Sequence, residues 1–201
     1  MILTPDWSKI QLIAESSNGY LTTKQAEAHG ISRTVLKQHT DNGSLIRVCQ
    51  GYYAFPETIV DELVLIQSRV RNSFYSYQTA LYLWGLSDRV PHFLDLSVHQ
   101  GSNVTLVKRD NSNIRFHYVR KDLFVVGSTE IQTPQGGTVR LYDKERCICD
   151  LIHSRKQTDM QLYSQAIKDY FSNRPNTRKL LKYGKQFGIE DKIRTYMEVL
   201  L

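Results

Sequence analysis

The sequence predicts an α+β protein: an N-terminal winged helix-turn-helix, followed by a mixed domain with a central sheet and C-terminal helices. Three observations lead to this prediction. Residues 21–55 contain two short helical segments with end signals and then two strand-like runs. Residues 93–142 are rich in strand-like runs, and from residue 143 onward apolar residues recur at helical spacing. We place the winged domain at residues 1–60 and the second domain at residues 61–201.

Local end signals define the predicted helix-turn-helix. Thr22 followed by Gln25 is a capping-box pattern for its first helix, and Gly30 is a typical stop signal. Ser32 is placed to cap its second helix. A helix over residues 6–17 precedes both and is predicted to support them.

A hairpin is predicted directly after these helices. The runs 45–49 and 52–55 are strand-like, and Gln50-Gly51 between them suits a tight turn. Two short helices, a tight turn and a two-stranded hairpin together describe a winged helix-turn-helix. This order of elements favours DNA binding.

The second helix of this motif carries a polar face suited to DNA. Arginine, lysine and glutamine pair with guanine or adenine edges in the major groove, and threonine reaches bases or phosphates. Arg47, in the first hairpin strand, is a candidate for the DNA backbone or minor groove. The candidates on the helix, opposite Leu36 and His39, are Arg33, Thr34, Lys37 and Gln38. The alternative is a helix-turn-helix that binds only protein partners and whose polar face is merely solvated.

The positive charge of the chain is concentrated outside the predicted winged domain. The net charge is +6, yet residues 1–60 contain five basic and five acidic side chains. Five cations without an acid stand between residues 174 and 185, on a predicted helix that begins near residue 176. They are candidates for phosphate contacts flanking the DNA site, and the alternative is a solvated face. These residues are Arg174, Arg178, Lys179, Lys182 and Lys185.

Composition indicates a soluble globular protein. Of the 201 residues, 41% are hydrophobic and 23% are charged, and no apolar run approaches the roughly 20 residues of a membrane helix. The N-terminus lacks the basic-then-apolar pattern of a signal peptide, so we expect a cytoplasmic protein without membrane association. The three cysteines are expected to be thiols.

Several local elements are predicted in the second domain. Ser76 is placed to cap a helix that runs to residue 84, and Thr158 to open a later helix with a capping box. The apolar residues of 94–98 alternate with polar ones, and residues 110–113 read as a turn between two strand-like runs. Residues 123–126 read as a buried strand.

The candidate catalytic and metal-binding groups have simpler explanations. Cys147 and Cys149 point to nearly opposite sides of a helix, so both sulfurs cannot reach one ion. Asp143 is placed as a helix cap, and an ion pair with its helix neighbours accounts for Glu145. We therefore predict no catalytic residue, no cofactor and no metal. The alternative is a nucleic-acid-processing enzyme that the winged domain targets to its substrate.

Three stretches together resemble the AbiEi-type antitoxins of type IV, abortive-infection toxin–antitoxin systems. They are residues 43–53 (GSLIRVCQGYY), residues 76–86 (SYQTALYLWGL) with Pro91 beyond, and residues 142–152 (YDKERCICDLI). The resemblance extends over nearly the whole chain. It implies a winged-helix autorepressor whose C-terminal domain is the antitoxin.

The resemblance also implies the partners. The first is double-stranded operator DNA in the protein's own promoter. Whether copies of the protein associate with one another on this DNA is left open. The second is a cognate nucleotidyltransferase-like toxin, countered without a stable complex. For the third stretch, the resemblance implies that Glu145, Arg146 and Asp150 hold the junction between sheet and helix.

Overall fold

The computed structural model describes residues 5–17, 19–59 and 61–201, which fold as a mixture of helices and sheets. They form two compact units. The first comprises Met1–Arg69 and Gln132–Thr138, and the second Val70–Ile131 and Val139–Leu201. The predicted division into domains 1–60 and 61–201 stays a prediction.

The first unit contains four helices and a three-stranded antiparallel sheet among its described residues. The elements are α1 (Pro5–Glu15), β1 (Tyr20–Thr22), α2 (Thr23–Ala28), α3 (Arg33–Asp41), β2 (Ile46–Cys49), β3 (Tyr52–Ala54) and α4 (Glu62–Arg69). The sheet order is β1-β3-β2, with Leu21 opposite Tyr53 and Arg47 on the other side of Tyr53. Strand β1 was missed by the sequence prediction, which took Thr22 only as a helix cap.

Both predicted caps of the first unit are confirmed. The Thr22 hydroxyl accepts from the Gln25 backbone N–H at 3.1 Å, and the Gln25 Oε1 accepts from the Thr22 N–H at 2.8 Å. The Ser32 hydroxyl accepts from the Val35 N–H at 3.4 Å. Because these caps satisfy free N–H groups, they fix where α2 and α3 begin. Fully buried apolar side chains form the core of this unit, including Ile10 of α1, Leu21 of β1, Ala26 of α2, Leu36 of α3 and Leu45 just before β2.

Asp61 belongs to the first unit. Its side chain is buried, and its Oδ1 accepts from the Leu63 N–H at 3.0 Å at the start of α4. Its Oδ2 accepts from the Thr133 hydroxyl. This hydrogen bond helps to explain why residues 132–138 cluster with the N-terminal unit.

The second unit contains a five-stranded sheet and helices. The elements are β4 (Ser73–Tyr75), α5 (Tyr77–Leu83), β5 (Leu94–His99), α6 (Thr105–Asp110), β6 (Ile114–Val119), α7 (Lys121–Phe124), β7 (Ser128–Gln132), β8 (Thr138–Tyr142), α8 (Lys144–His153), α9 (Met160–Ser172), α10 (Thr177–Phe187) and α11 (Glu190–Leu200). The sheet order is β6-β5-β4-β8-β7. Strand β4 runs antiparallel to β5 and parallel to β8, and β5 runs parallel to β6.

The predicted strand at residues 123–126 is wrong. Residues 121–124 form the short helix α7, and both the Leu123 and the Val126 carbonyls accept from Nη1 of Arg146, at 2.7 and 3.0 Å. Two carbonyls can converge on one guanidinium only from a curved backbone, since carbonyls along a strand alternate in direction. The strand-like run before residue 110 is also wrong, because α6 occupies residues 105–110.

Two predicted caps of the second unit need correction. The Ser76 hydroxyl makes no cap hydrogen bond to α5 and instead lies 2.9 Å from the Ser97 hydroxyl, which donates to it. Helix α9 is capped by Asp159, whose Oδ1 accepts from the Leu162 N–H at 3.0 Å, rather than by Thr158. Ser76 therefore still occupies the N-cap position of α5, but its hydroxyl does not cap the helix.

Arg146 is the most strongly held polar side chain of the second unit. It is 2% exposed, and its Nε lies 3.0 Å from each oxygen of Asp150. Its guanidinium carbon lies 4.2 Å from the Tyr142 ring centre and 4.3 Å from that of Phe187. At Gly127, which has φ of 78°, a Cβ would come within 2.6 Å of Arg146 Cβ, so only glycine fits there. The expected ion pair between Arg146 and Asp150 is confirmed, and its role in holding the junction of sheet and helix stays a prediction.

We expect Arg146→Met to lower the free energy of unfolding by about 3–5 kcal/mol, because it leaves the Asp150 carboxylate buried without its partner. Chemical denaturation measures this. The matched control is Arg194→Gln, which removes an exposed 2.6 Å pair with Glu190 and should cost at most about 0.5 kcal/mol. Equal losses in the two variants would contradict the structural role of Arg146.

Candidate nucleic-acid interface

The structure places the predicted DNA-contacting residues of α3 on one exposed face. Arg33, Thr34, Lys37 and Gln38 are exposed, whereas Leu36 on the opposite face is fully buried. The predicted division of the helix into a polar and an apolar face is therefore confirmed. The face is free to approach a ligand, and its contact with DNA stays a prediction.

The inner face of α3 is fixed by an aromatic contact. The His39 ring stacks on Trp7 with ring centres 4.7 Å apart, and Trp7 also packs edge-on against Phe55 at 5.8 Å. Burial lowers the pKa of His39, and the nearby Asp6 carboxylate acts against this shift. The half-buried His39 ring thus packs α3 against Trp7 of the core.

An ion pair on the surface engages one of the candidate arginines. Arg33 Nε lies 2.7 Å from Glu27 Oε1, and the two side chains are 76% and 46% exposed. Exposed pairs of this kind contribute little to stability, so Arg33 can exchange Glu27 for a base edge or a phosphate at small cost. Sequence reasoning missed Glu27, because the two residues are brought together by the turn between α2 and α3.

The β2–β3 hairpin presents Arg47 to solvent. Arg47 stands opposite Tyr53, and the register shifts between Arg47 and Cys49 at a bulge. Gly51 supplies the positive φ of 80° that the hairpin turn requires. The predicted hairpin is confirmed, and Arg47 is available on its exposed strand.

Helix α10 of the second unit carries an exposed row of cations. Its N-terminus is capped by the Asn176 side chain, which accepts from the Lys179 N–H at 3.1 Å. Leu180 is fully buried on its inner side. The exposed cations are Arg174, just before the helix, and Arg178, Lys182 and Lys185 on it.

Lys179 differs from the other cations of this stretch. Its Nζ lies 2.9 Å from Asp143 Oδ2 and 3.2 Å from Glu145 Oε2. Tyr183 donates a hydrogen bond to Asp143 Oδ2 at 3.1 Å, and Tyr170 donates to Glu145 Oε1 at 3.2 Å. Burial on its own would lower the pKa of Lys179, but its hydrogen bonds and attraction to the two carboxylates outweigh burial and raise it. Lys179 is therefore already paired within its own unit, and its predicted phosphate contact would require it to leave both carboxylates.

The carboxylates near α8 act as structural partners. Asp143 caps α8 by accepting from the Arg146 N–H at 2.8 Å, as predicted. Glu145 was expected to pair with its helix neighbours, and this is wrong, because it pairs with Lys179 and Tyr170 of two other helices. The partners lie 25 and 34 residues away in the chain, beyond what helical spacing reveals.

The two cysteines of α8 are buried. Cys147 and Cys149 are buried free thiols, and burial raises the pKa of both. A raised pKa disfavours the thiolate that metals require. Within the described ranges, no group of three or more His, Cys, Asp or Glu side chains is placed to hold a metal ion. In the same ranges, no helix is long and apolar enough to cross a membrane.

Residues 8–56 match the family described as "Transcriptional regulator, AbiEi antitoxin". The matched AbiEi segment contains α3 and the β2–β3 hairpin, and therefore all five candidates of the first unit. Helix α10 lies outside it.

A solved structure shares the fold of most of the chain. The crystal structure of the RV2827C protein from Mycobacterium tuberculosis superimposes with a TM-score of 0.56 at 11% sequence identity, covering 91% of this chain and 72% of that one. At this identity the likeness concerns the fold alone. A search of curated proteins found no match.

We expect Lys179→Met to lower the free energy of unfolding by about 1–3 kcal/mol, because it leaves the partly buried Asp143 and Glu145 carboxylates without their cation. Thermal or chemical denaturation measures the change. Lys182→Met, on the exposed side of the same helix, is the matched control and should stay within about 0.5 kcal/mol. If both variants were as stable as the parent protein, the Lys179 ion pairs would contribute nothing measurable.

Proposed function

We propose that this protein is a winged-helix transcriptional repressor of its own operon and an antitoxin against a nucleotidyltransferase-like toxin. The observation that carries the DNA-binding half is the exposed polar face of α3, backed by buried Leu36, inside the segment that matches the AbiEi regulators. The α2-turn-α3 pair is then the helix-turn-helix, and the β2–β3 hairpin is the wing.

In this proposal α3 enters the major groove of operator DNA. Arg33 and Lys37 pair with guanine O6 and N7, and Gln38 with adenine N6 and N7, since these side chains match those base edges. Thr34 contacts a base or the adjacent phosphate. Arg47 on the wing contacts the backbone or the minor groove. Two copies bound to a two-fold operator would place their α3 helices about one helical turn of DNA apart.

The exposed cations of α10 supply phosphate contacts. The first sixty residues have no net charge, so the long-range attraction to DNA requires cations from elsewhere in the chain. Arg178, Lys182 and Lys185 share one exposed side of α10 at spacings of four and three residues. Arg174 precedes them and is also exposed.

The antitoxin half rests on the resemblance of residues 76–86 and 142–152 to AbiEi-type antitoxins. It implies a cytoplasmic protein of a type IV, abortive-infection system that counters its toxin without a stable complex. We further propose that the protein is not an enzyme. In support, the carboxylates of Asp143, Glu145 and Asp150 all bond to side chains of their own unit, which leaves them committed to structure.

We expect the double variant Arg33→Ala/Lys37→Ala to weaken binding to the operator by roughly 30-fold or more, because each of the two lost base contacts costs roughly 1–3 kcal/mol. Gel shift or fluorescence anisotropy with the upstream DNA of the operon measures this. Binding to unrelated DNA should fall much less. The control is Lys24→Ala/Lys9→Ala, two cations of the same unit outside α3.

The same double variant separates the two proposed activities. Expressed as the full chain, it should still protect cells from the cognate toxin while it fails to repress a promoter fusion. Operator binding at full strength would overturn the recognition role of α3. Loss of protection by a stably folded variant would show that DNA binding is needed for the antitoxin activity.

We expect the triple variant Arg178→Ala/Lys182→Ala/Lys185→Ala to bind all DNA more weakly while it keeps its preference for the operator. Each lost phosphate contact should reduce the slope of log affinity against log salt by roughly 0.9. Titrations at several salt concentrations measure the slope. A triple variant with the affinity and salt slope of the parent would show that this side of α10 is only a solvated surface.

A further inference from the structure

A groove, here termed the α9–α11 groove, lies between two helices of the second unit. Its volume is about 780 Å³, and residues 152–157 complete its lining. The lining residues of each helix recur every three or four positions, from Met160 to Lys168 on α9 and from Lys192 to Leu200 on α11. Each helix therefore contributes one stripe that is about 12 Å long. A groove between two such stripes has the shape that a third helix fills.

The α9–α11 groove has an apolar floor and exposed apolar side chains. Ile152, Tyr163 and Ile167 line it and are buried. Met160 on α9 and Val199 on α11 line it as well, but they are 58% and 75% exposed. Exposed apolar side chains that line one concave surface are typical of a binding site. Burying them against apolar groups of a partner is favourable, because it removes their surface from water.

A tyrosine pair holds the two helices together at the groove. The hydroxyl oxygens of Tyr163 and Tyr196 lie 2.7 Å apart, and the centres of the two rings lie 6.3 Å apart. The guanidinium carbon of Arg155 lies 5.5 Å from the Tyr163 ring centre. Because these contacts join α9, α11 and the turn after α8, the walls of the groove are formed before a ligand binds.

The lining of the α9–α11 groove is positively charged. It contains four exposed cations, and none of its residues, all of which lie in the described part of the chain, is Asp or Glu. A lining of this kind is complementary to a ligand that carries negative charge around an apolar centre. DNA also offers negative charge, but its phosphates would leave Met160 and Val199 in water. The four cations are Arg155, Lys156, Lys168 and Lys192.

We propose that the α9–α11 groove binds an acidic amphipathic helix of a partner protein. Apolar side chains at positions i, i+3 or i+4, and i+7 of that helix pack on Met160 and Val199. These positions span about 10 Å, which matches the length of the two stripes. Asp and Glu side chains on its flanks pair with Arg155, Lys168 and Lys192. The proposal goes beyond the DNA-binding and antitoxin assignments, and none of the side chains proposed to contact DNA lines the groove.

The probe is a fluorescein-labelled synthetic helix of about 18 residues, with leucines on one face and glutamates on the other. Titrated with the full-length protein and followed by fluorescence anisotropy, it should bind saturably with a dissociation constant of about 100 μM or tighter. Its affinity should fall as salt is raised, because exposed ion pairs are screened. Two control peptides should each bind at least about tenfold more weakly. One is a scrambled peptide of the same composition, which has no apolar face, and the other carries lysines in place of the glutamates.

The double variant Lys168→Glu/Lys192→Glu tests the cations of the groove. It should bind the glutamate peptide at least about tenfold more weakly than the parent protein does, and it should bind the lysine peptide more tightly. The matched control is Lys108→Glu/Lys121→Glu, which makes the same charge change at exposed positions of α6 and α7 outside the groove. The control should keep the affinity for the glutamate peptide within about threefold of the parent value.

The double variant Met160→Ser/Val199→Ser tests the apolar contacts. Both side chains are exposed, so this variant should fold as the parent protein does. It should weaken binding of the glutamate peptide at least about fivefold, because less apolar surface is buried on binding. The dependence of the affinity on salt should stay unchanged, since no charge is altered.

Absence of saturable binding, equal binding of the scrambled peptide, or full binding by either double variant of the groove would overturn the proposal. Two further results would assign the groove to a different occupant and would also overturn it. One is an equal loss of affinity for a non-operator DNA duplex in Lys168→Glu/Lys192→Glu, which would make the groove a nucleic-acid surface. The other is a dimer of the parent protein, seen by sedimentation, that Met160→Ser/Val199→Ser dissociates, which would make the occupant a second copy of this chain.

Discussion

The second unit depends on one buried cation. The guanidinium of Arg146 donates hydrogen bonds to the Asp150 carboxylate and to two carbonyls of the segment 123–126, and it packs on the rings of Tyr142 and Phe187. These partners come from strand β8, from helices α7, α8 and α10, and from the residues just after α7. Desolvating a charge is costly, and only a complete set of partners compensates for it. Burial raises the pKa of Asp150, and its attraction to Arg146 acts against that rise. The Arg146–Asp150 pair is therefore favourable only in the one arrangement of these elements that supplies all the partners.

A second ion-pair cluster extends the same logic to α10. Asp143 and Glu145, at the start of α8, take up Lys179 and the hydroxyls of Tyr183 and Tyr170. This attachment fixes the rotation of α10 about its axis. Gly184 lets the neighbouring helix approach closely, since a Cβ there would meet Ile193 Cδ1 at 2.4 Å. With the helix held on these sides, the remaining cations of α10 face solvent. Lys179, which anchors the helix, and the exposed cations that we propose for phosphate contacts are thus separate groups on α10.

The sequence predicted what local chemistry decides. The caps by Thr22, Ser32 and Asp143, the two faces of α3 and the hairpin after it were all legible, because each depends on residues a few positions apart. Strand β4 was not recognised, although it is the centre of the second sheet, because three residues are too few to show a period. Residues 123–126 were misassigned because their conformation depends on Arg146, some twenty positions later. Lys179 had the same appearance as its neighbours until the distant carboxylates were in place.

The distribution of charge has a consequence for how the two proposed DNA-contacting surfaces divide their work. The first sixty residues have no net charge. Arg33 already pairs with Glu27 at 2.7 Å, so replacing Glu27 by a phosphate gains little free energy, and a net gain requires a matching base edge. Under the proposed function, this surface would discriminate between sequences but attract DNA weakly. The α10 cations have the opposite properties, because phosphate contacts are independent of sequence and sensitive to salt. Sequence preference and salt dependence should therefore respond to changes in different parts of the chain, and neither surface alone combines both properties.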